Sequence, residues 1–377
     1  MNLDFSEEQQ VLRDTVRKLC AEYSPIAVVR AMEDDPKGVP DALWKQLAEL
    51  GLLGMLVPEE YGGSAQTLLE AAIVFEELGR ALAPTPIFES GVISASVLLA
   101  AGSDAQKQEW LPKLASGEAI LVPAWLEPQS GFGPKGVQLR ATKTETGDGY
   151  LLAGQKRHVA FASAAARLIV LARTGDKLED VSIFLVDPQA KGVSLKQMKS
   201  LASDTQYDVR FDGVRVPATA RLGAENAGWK SWDAVMHDGI IALAGLALGG
   251  CERALEITVQ YAKDRKQFDK PIGAFQAISH YLADAVTQLD GGKTLVYEAA
   301  TARAQGKDIR RLAPMSKLFA CQTYRDVTAM CLQVWGGVGF TLEYDIQLYF
   351  RRAKQLQLSW WDTRYLEELI AADVLDR

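Results

Sequence analysis

The sequence predicts an α+β protein in which a helical N-terminal domain and a helical C-terminal domain flank a β-domain. Two changes in the spacing of apolar residues carry this prediction. Helical spacing gives way to short β-branched segments near residue 119 and returns near residue 226. We therefore expect a helical domain at 1–118, an antiparallel β-domain at 119–225 and a helical bundle at 226–377.

The N-terminal part contains the clearest amphipathic pattern. In TLLEAAIVFEELGR, the apolar residues Leu68, Ala72, Phe75 and Leu78 recur every three or four positions. Residues at this spacing lie on one face of an α-helix, so this stretch predicts a helix with one buried face.

The middle part contains three segments typical of strands. These are RLIVLAR at 167–173, VSIFLVD at 181–187 and VRFDGVRV at 209–216. Each is short, rich in β-branched residues and bounded by Gly, Asp or Pro, which is the pattern of strands in an antiparallel sheet.

The C-terminal part opens with a long apolar stretch at 240–268, IIALAGLALGGCERALEITVQYAKDRKQF. It is apolar on more than one face, which suits a helix buried in a bundle or in a subunit interface. The small residues of its GLALGG segment favour either a roomy ligand pocket or close helix packing.

Charge and composition exclude several classes of protein. The formal net charge is −7, whereas nucleic-acid and anionic-membrane surfaces need clustered Lys and Arg. The first residues, MNLDFSEEQQ, lack a basic segment followed by an apolar one, and no apolar run of membrane-spanning length is expected. These observations predict a cytoplasmic protein that binds neither nucleic acid nor membrane.

Cysteine and histidine usage argues against metal chemistry. The four cysteines, Cys20, Cys251, Cys321 and Cys331, are widely spaced and form no C-x-x-C motif. Buried reduced thiols are therefore expected. The chain has three histidines and no two stand at ligand spacing, so no metal site is predicted.

Several motifs give the chain a resemblance to a known family. DRKQFDKPIGAFQ at 264–276, QVWGGVGF at 333–340 and FDGVRVPATARLGAENAGW at 211–229 together resemble the acyl-CoA dehydrogenase family, as does VPEEYGG near the N-terminus. The resemblance covers essentially the whole chain, with the motifs in the family's order. It implies a β-domain between two helical domains, the second a four-helix bundle, in a dimer or tetramer.

The resemblance also implies an activity. Members of this family dehydrogenate acyl-CoA thioesters between the α and β carbons with FAD, and pass the electrons to an electron-transfer flavoprotein. A buried carboxylate, whose pKa is raised by desolvation, removes the α-proton. The protein supplies the position and the electrostatics of the flavin.

This chain departs from the family at the catalytic base. In one subgroup the base is the Glu of a Tyr-Glu-Gly-Thr stretch, and that Glu falls on Trp360. In the other subgroup the base falls on Gly239. Two nearby carboxylates, Asp362 and Asp238, are the remaining candidates. Asp238 is one residue from the second position, which turns its side chain by about 100° along a helix.

The segment that should contact the flavin ring also departs from the family. The family's Thr-Glu-Pro-x-x-Gly-Ser is LEPQSGF here, with Leu126 for Thr and Phe132 for Ser, although Gly131 remains. The family's Trp-Ile-Thr or Trp-Ile-Ser becomes the His158 to Ala160 segment. These changes remove polar and stacking contacts, so the resemblance implies weak binding of a flavin ring by this chain.

By contrast, the residues that hold the ADP half of a neighbouring subunit's FAD match the family. They provide an arginine for the diphosphate, an aromatic ring, two glutamines and a glycine pair that admits close backbone approach. These residues are Arg265, Phe268, Gln276, Gln333, Gly336 and Gly337.

Structural interpretations of the same residues are simple. Asp362 is suited to be the N-cap of a helix formed by TRYLEELIAADVL. Trp360 and Trp361 suit space filling near a pocket or an interface. His158 is expected to be a packed or hydrogen-bonded residue. Without the motif around it, Arg265 would be interpreted as an ordinary surface cation.

Three functions follow. The leading one is a partner subunit of a heteromeric acyl-CoA dehydrogenase that supplies the ADP-side clamp. The second is a self-sufficient FAD enzyme with Asp362 or Asp238 as base, including chemistry like that of nitroalkane oxidases. The assembly is then a homo-oligomer, whereas the first function requires a hetero-oligomer with a related subunit. The third is a non-enzymatic scaffold or binding protein with the same fold.

Overall fold

A computed structural model describes residues 5–128, 131–202 and 204–375. It confirms the α+β class, with helices before and after a β-sheet. The helices are α1 (Glu7–Tyr23), α2 (Ile26–Ala31), α3 (Asp41–Glu49), α4 (Leu68–Arg80), α5 (Ala95–Ala101), α6 (Asp104–Ala115), α7 (Gly228–Asp264), α8 (Gln276–Ala304), α9 (Leu312–Trp335), α10 (Ile346–Leu358) and α11 (Thr363–Leu375). The strands are β1 (Leu121–Ala124), β2 (Arg140–Lys143), β3 (Gly149–Ala160), β4 (Arg167–Arg173), β5 (Val181–Val186), β6 (Val193–Met198), β7 (Gln206–Pro217), β8 (Arg221–Leu222), β9 (Lys266–Gln267) and β10 (Lys270–Pro271).

The chain forms two compact units. The first, here called the helical unit, comprises residues 1–29, 67–83 and 240–377. The second, called the sheet unit, comprises residues 30–66 and 84–239. The three domain boundaries expected from the sequence stay a prediction.

In the helical unit, α4 and α7 pack with their backbones in contact. A Cβ atom on Gly249 would lie 1.7 Å from the Glu76 carbonyl oxygen, and one on Gly79 would lie 2.0 Å from the Leu246 carbonyl oxygen. A Cβ on Gly245 would likewise lie 2.7 Å from the Ala72 carbonyl oxygen. The small residues of GLALGG therefore serve close helix packing, not a roomy pocket.

The sheet unit is built on an eight-stranded sheet in the order β6-β7-β3-β2-β4-β5-β8, with β1 beside β4. The expected strands at 167–173, 181–187 and 209–216 correspond to β4, β5 and β7. Pairing is mainly antiparallel, but β1 and β2 run parallel to β4. Alternate residues of these strands bury the apolar core of the unit.

One helical segment of the sheet unit has an unexpected geometry. Residues Phe88–Ser94 form a π-helix in which every residue is buried. Hydroxyl groups hold it to β1, because the Leu121 N–H donates to Ser90 Oγ at 3.2 Å and Ser94 Oγ donates to the Leu121 carbonyl at 2.9 Å. Apolar periodicity does not distinguish this wider helix from an α-helix, and π-helical turns are frequent at functional sites.

Helix α7 corrects the expectation that no apolar run reaches membrane-spanning length. An 18-residue window of α7 has a mean hydropathy of 1.5, so the helix is long and apolar enough to cross a membrane by length and composition alone. However, 78% of that window is buried inside the protein, as expected for a core helix.

The four cysteines are free and buried, as predicted. Burial raises the pKa of the Cys20 and Cys331 thiols to about 12, and also raises the pKa of Cys251 and Cys321. Because the thiolate is the reactive form, these side chains act as small apolar core residues.

Candidate functional site

The two positions that hold the base in the family, Trp360 and Gly239, lie in different units. Trp360 belongs to a strained turn of the helical unit. Trp360 has φ +53° and Trp361 has φ +73°, in the left-handed region that bulky residues rarely adopt. Trp361 occupies the Gly position of Tyr-Glu-Gly-Thr, so the chain keeps a glycine-like backbone with a fully buried indole. Its ring packs edge-on against Tyr365 at 5.5 Å.

A buried lysine that the sequence analysis missed holds this turn. Lys317 Nζ donates to the Leu356 carbonyl at 3.0 Å and to the Trp361 carbonyl at 2.8 Å. Complete burial lowers the pKa of Lys317, and the Cys321 and Asp362 side chains oppose that change. A lysine on an apolar helix face is the only sequence signal, and it resembles an ordinary surface lysine whose stem covers apolar surface.

Asp362 begins the last helix. Its Oδ1 accepts a hydrogen bond from the Tyr365 N–H at 2.9 Å, and its carbonyl accepts one from the Leu366 N–H at 3.0 Å. This is the N-cap geometry, in which an aspartate satisfies a free amide of the first turn. Its catalytic role stays a prediction.

The second base position, Gly239, lies in the sheet unit and has little free space. A Cβ atom there would lie 2.5 Å from Ile93 Cδ1 and 3.6 Å from ring carbons of Phe88, both on the π-helix. A glutamate at this position would require Ile93 to move. Asp238 is half-buried beside it, and its role as a base also stays a prediction.

In the segment expected to face the flavin ring, Glu127 serves the internal structure of the sheet unit. Its carboxylate accepts from Lys156 Nζ at 2.6 Å and from the Gln138 and Leu139 backbone N–H groups at 2.9 Å. Lys156 is fully buried and also donates to the Trp125 carbonyl at 3.2 Å. Burial lowers the pKa of Lys156, and Glu127 opposes this shift.

The side chain that replaces the family's serine joins an aromatic cluster. The Phe132 ring centroid lies 5.9 Å from that of Trp125, which lies 5.2 Å from that of Trp232. Gln129 and Ser130 lie outside the described residues. Gly131 is exposed, and a Cβ there would meet nothing within 4 Å. Phe132 and Leu126 offer no hydroxyl group, so this segment does not fit the polar edge of a flavin ring.

His158 sits on a β-bulge between β3 and β7. The pairing register shifts between Lys156 and Val159, and His158 takes φ +54°. Bulges of this kind redirect a side chain. The exposed imidazole Nδ1 lies 2.8 Å from Gln206 Oε1, which supports the hydrogen-bonded role expected from the sequence.

The ADP-side candidates all belong to the helical unit. Arg265 precedes a small hairpin, and Phe268 lies in its turn. Strands β9 and β10 are joined by Phe268 and Asp269, with φ +52° and +65°. Two successive positive φ values are the mark of a type I′ turn, which usually selects Asn and Gly. Phe268 is nevertheless 85% exposed, and Arg265, which precedes β9, is also exposed.

The other ADP-side candidates lie at helix ends that aromatic contacts bring together. Trp335 stacks on Tyr261 with centroids 4.1 Å apart, which joins the end of α9 to the end of α7. The ring of Phe268 packs edge-on against that of Phe275, immediately before α8, with ring centroids 6.2 Å apart. Gln276 at the start of α8 and Gln333 near the end of α9 are exposed.

Gly336 and Gly337 leave an open cradle after α9. Gly336 has φ +66°, and a Cβ on either glycine would meet no protein atom within 4 Å. Space beside a glycine that the chain itself leaves empty suits the close approach of a ligand. Arg265, in the same unit, has a guanidinium group without a partner within the described residues, and such a group is chemically suited to a diphosphate.

Family models match three stretches of this chain. Their descriptions are Acyl-CoA dehydrogenase, N-terminal domain at residues 6–118, middle domain at 124–214 and C-terminal domain at 226–362. A curated relative, the probable acyl-CoA dehydrogenase YngJ of Bacillus subtilis, is 32% identical over 384 residues, covering 100% of both chains.

Two solved structures are similar over their full lengths. The butyryl-CoA dehydrogenase from Megasphaera elsdenii has a TM-score of 0.90 at 28% identity, with 100% of each chain covered. A chain of the ChsE4-ChsE5 complex from Mycobacterium tuberculosis has a TM-score of 0.90 at 26% identity, again with 100% of each chain covered.

Proposed function

Because the chain belongs to the acyl-CoA dehydrogenase family, we propose that it is the partner subunit of a heteromeric acyl-CoA dehydrogenase. The family comprises FAD-dependent oxidoreductases that act on CH–CH groups. In the proposed complex, an acyl-CoA thioester is dehydrogenated and an electron-transfer flavoprotein receives the electrons. A related subunit carries the base and the ring pocket, and this chain clamps the ADP end of that subunit's FAD.

The observation that carries the proposal is the outward presentation of the ADP-side residues. Phe268 is 85% exposed on a turn with unfavourable backbone angles, beside the exposed guanidinium of Arg265. Exposing an aromatic ring at a strained position costs free energy unless a partner or ligand covers it. This arrangement suits a cofactor whose other half is held by another chain.

The assignment of catalysis to the related subunit rests on two kinds of family residue that this chain lacks, the acid at the base positions and the hydroxyl groups near the flavin ring. When bound, FAD accepts the hydride from the β-carbon of the substrate. The two positions that hold the base in the family carry no acid here, since Trp360 is not an acid and Gly239 has no side chain. The loss of ring-side hydroxyls at Leu126 and Phe132 points in the same direction.

An absorbance spectrum tests the proposal. Purified alone, the chain should be colourless or contain well under one FAD per chain. Co-expressed with a relative that retains the Glu of Tyr-Glu-Gly-Thr, it should yield a yellow complex with about one FAD for each pair of unlike chains. One tightly held FAD per chain in a homo-oligomer would instead support the self-sufficient enzyme.

A matched pair of variants tests the clamp itself. Arg265→Gln in the complex should lower FAD retention on gel filtration, because it removes a charge-assisted contact to the diphosphate. Lys266→Gln makes the same charge change on the adjacent exposed residue, and should leave FAD content near that of the parent complex. Equal FAD loss in both variants would argue against a specific role for Arg265.

A further inference from the structure

The helical unit contains a cavity of about 310 Å³ that none of the flavin-side residues lines. Its walls come from the ends of α1 and α4, the middle of α7 and the beginning of α10. Three arginines line it, Arg17, Arg80 and Arg253, together with the carboxylates Glu77 and Asp345.

The arginines at this cavity differ in how deeply they are placed. Arg17 and Arg253 have side chains that are 43% and 46% exposed, whereas Arg80 is 13% exposed and Glu77 only 1% exposed. The buried carboxylate therefore lies at the floor, and the two accessible guanidinium groups lie toward solvent. An incoming anion meets the two arginines before it meets Glu77.

The ion pairs leave some of the arginine donors unused. Glu77 accepts from Arg17 Nε at 2.8 Å and Nη2 at 2.6 Å, and also pairs with Arg13 at 3.2 Å. Within the described residues Arg17 Nη1 makes no hydrogen bond. Arg253 commits Nη1 to Glu256 at 3.0 Å. Arg80 is paired in turn with Glu252 at 2.7 Å and with Glu256 at 2.9 Å. The donors left for a ligand are therefore those of Arg17 and Arg253.

The remaining walls also suit a ligand that carries one anionic group. The buried hydroxyl of Ser24 has no hydrogen-bond partner within the described chain. Such a group gains free energy when a ligand or water binds it. Ala21 and Ile257 provide apolar surface in the same cavity.

The carbonyl groups at the end of α4 are already engaged and so repel an anion less. The Ala81, Leu82 and Ala83 N–H groups donate to carbonyls of its last turn, and the Tyr349 hydroxyl donates to the Arg80 carbonyl at 2.9 Å. Burial raises the pKa of Tyr349 to about 12, so the phenol stays neutral near pH 7 and adds no negative charge.

We propose that this cavity is a binding site for a small organic anion, with a carboxylate or phosphate group held by Arg17 and Arg253 and a short apolar body against Ala21 and Ile257. The site is separate from the ADP-side residues, so it does not depend on the proposed subunit function. Charge-assisted hydrogen bonds from two guanidinium groups supply the recognition.

Titration calorimetry on the full chain tests the site with three probes of similar size: hexanoate, butyl phosphate and hexylammonium. We expect saturable binding, one ligand per chain, for at least one of the two anions and none for the cation. The stronger anion identifies the preferred head group. Absence of saturable anion binding, or equal binding of hexylammonium, would overturn the proposal.

Variants locate the binding. Arg253→Gln should weaken anion binding about tenfold, as loss of a charge-assisted contact does. Arg364→Gln, which makes the same charge change at a side chain that is 87% exposed on α11, should leave affinity unchanged. Ala21→Leu narrows the cavity from an exposed helix position without changing charge, and should also weaken binding. Unchanged affinity in both cavity variants would show adventitious ion binding only.

Discussion

Asp362 accepts a hydrogen bond from the Tyr365 backbone N–H and so begins α11. A carboxylate used in this way is best kept ionised and close to the helix end, where it also interacts favourably with the helix dipole. A general base needs a different environment, with its charge destabilised by burial.

The substitution Asp362→Asn separates these two roles. Asparagine keeps the size and the capping ability of aspartate but is not a base. In the co-expressed complex, we expect the steady-state rate of acyl-CoA dehydrogenation to stay within a few-fold of the parent. A loss on the order of a hundredfold with unchanged FAD content would assign the base to Asp362.

Single residues also mark the limit of the sequence analysis. The Asp362 cap was foreseeable because an aspartate stood immediately before a helical pattern. Lys317 and Lys156 were not foreseeable, because their partners are main-chain carbonyls and Glu127, all distant along the chain. The left-handed angles of Trp360 and Trp361 likewise have no signature in the residue types themselves.

At the scale of elements, the helices and strands that were correctly predicted are those with a regular spacing of apolar residues. Strands β4, β5 and β7 and helix α4 follow from strong patterns, and α4 also carries a Thr67–Glu70 capping box. The π-helix at Phe88–Ser94 and the parallel pairing of β1 with β4 depend on long-range packing. GLALGG left two interpretations open, and the α4–α7 contact decides between them.

That contact gives a prediction about stability. Gly249→Ala would place a Cβ 1.7 Å from the Glu76 carbonyl oxygen, so the two helices would have to separate. We expect the free energy of unfolding to fall by about 3 kcal/mol, at the upper end of overpacking effects. Denaturant unfolding followed by circular dichroism measures this change.

Gly291→Ala is the control for that experiment. This glycine lies in α8 and is exposed, and a Cβ would meet only Phe319 at 3.9 Å. Alanine has the higher helix propensity, so we expect a gain of up to about 1 kcal/mol. Similar losses in both variants would mean that helix contact at Gly249 is not the cause.

At the scale of the whole molecule, the site residues are divided between two compact units. The ADP-side residues belong to the helical unit, and the segment at 126–132 and His158 belong to the sheet unit. Their matches to and departures from family motifs could be identified from the sequence. The exposed turn at Phe268 and the open cradle at Gly336 required coordinates, because both are properties of backbone angles and surrounding space.

A ligand that binds only an assembled complex stabilises only that complex. We expect added FAD to raise the thermal midpoint of the co-expressed complex and to leave that of the isolated chain unchanged. At a free FAD concentration of about 100 times Kd, the expected stabilisation is about 2.7 kcal/mol. Differential scanning fluorimetry compares the two samples, and an equal rise in the isolated chain would contradict the shared-cofactor proposal.

The burial of all four thiols has a practical consequence for labelling the protein. Since burial raises their pKa values, the native cysteines should react slowly with maleimides near pH 7, and a thiol on an exposed turn should react much faster. Cysteine in place of Phe268, which is 85% exposed, would therefore carry a single fluorophore without removal of the natural cysteines. A change in that probe's emission when a related subunit is added would report assembly directly at the hairpin.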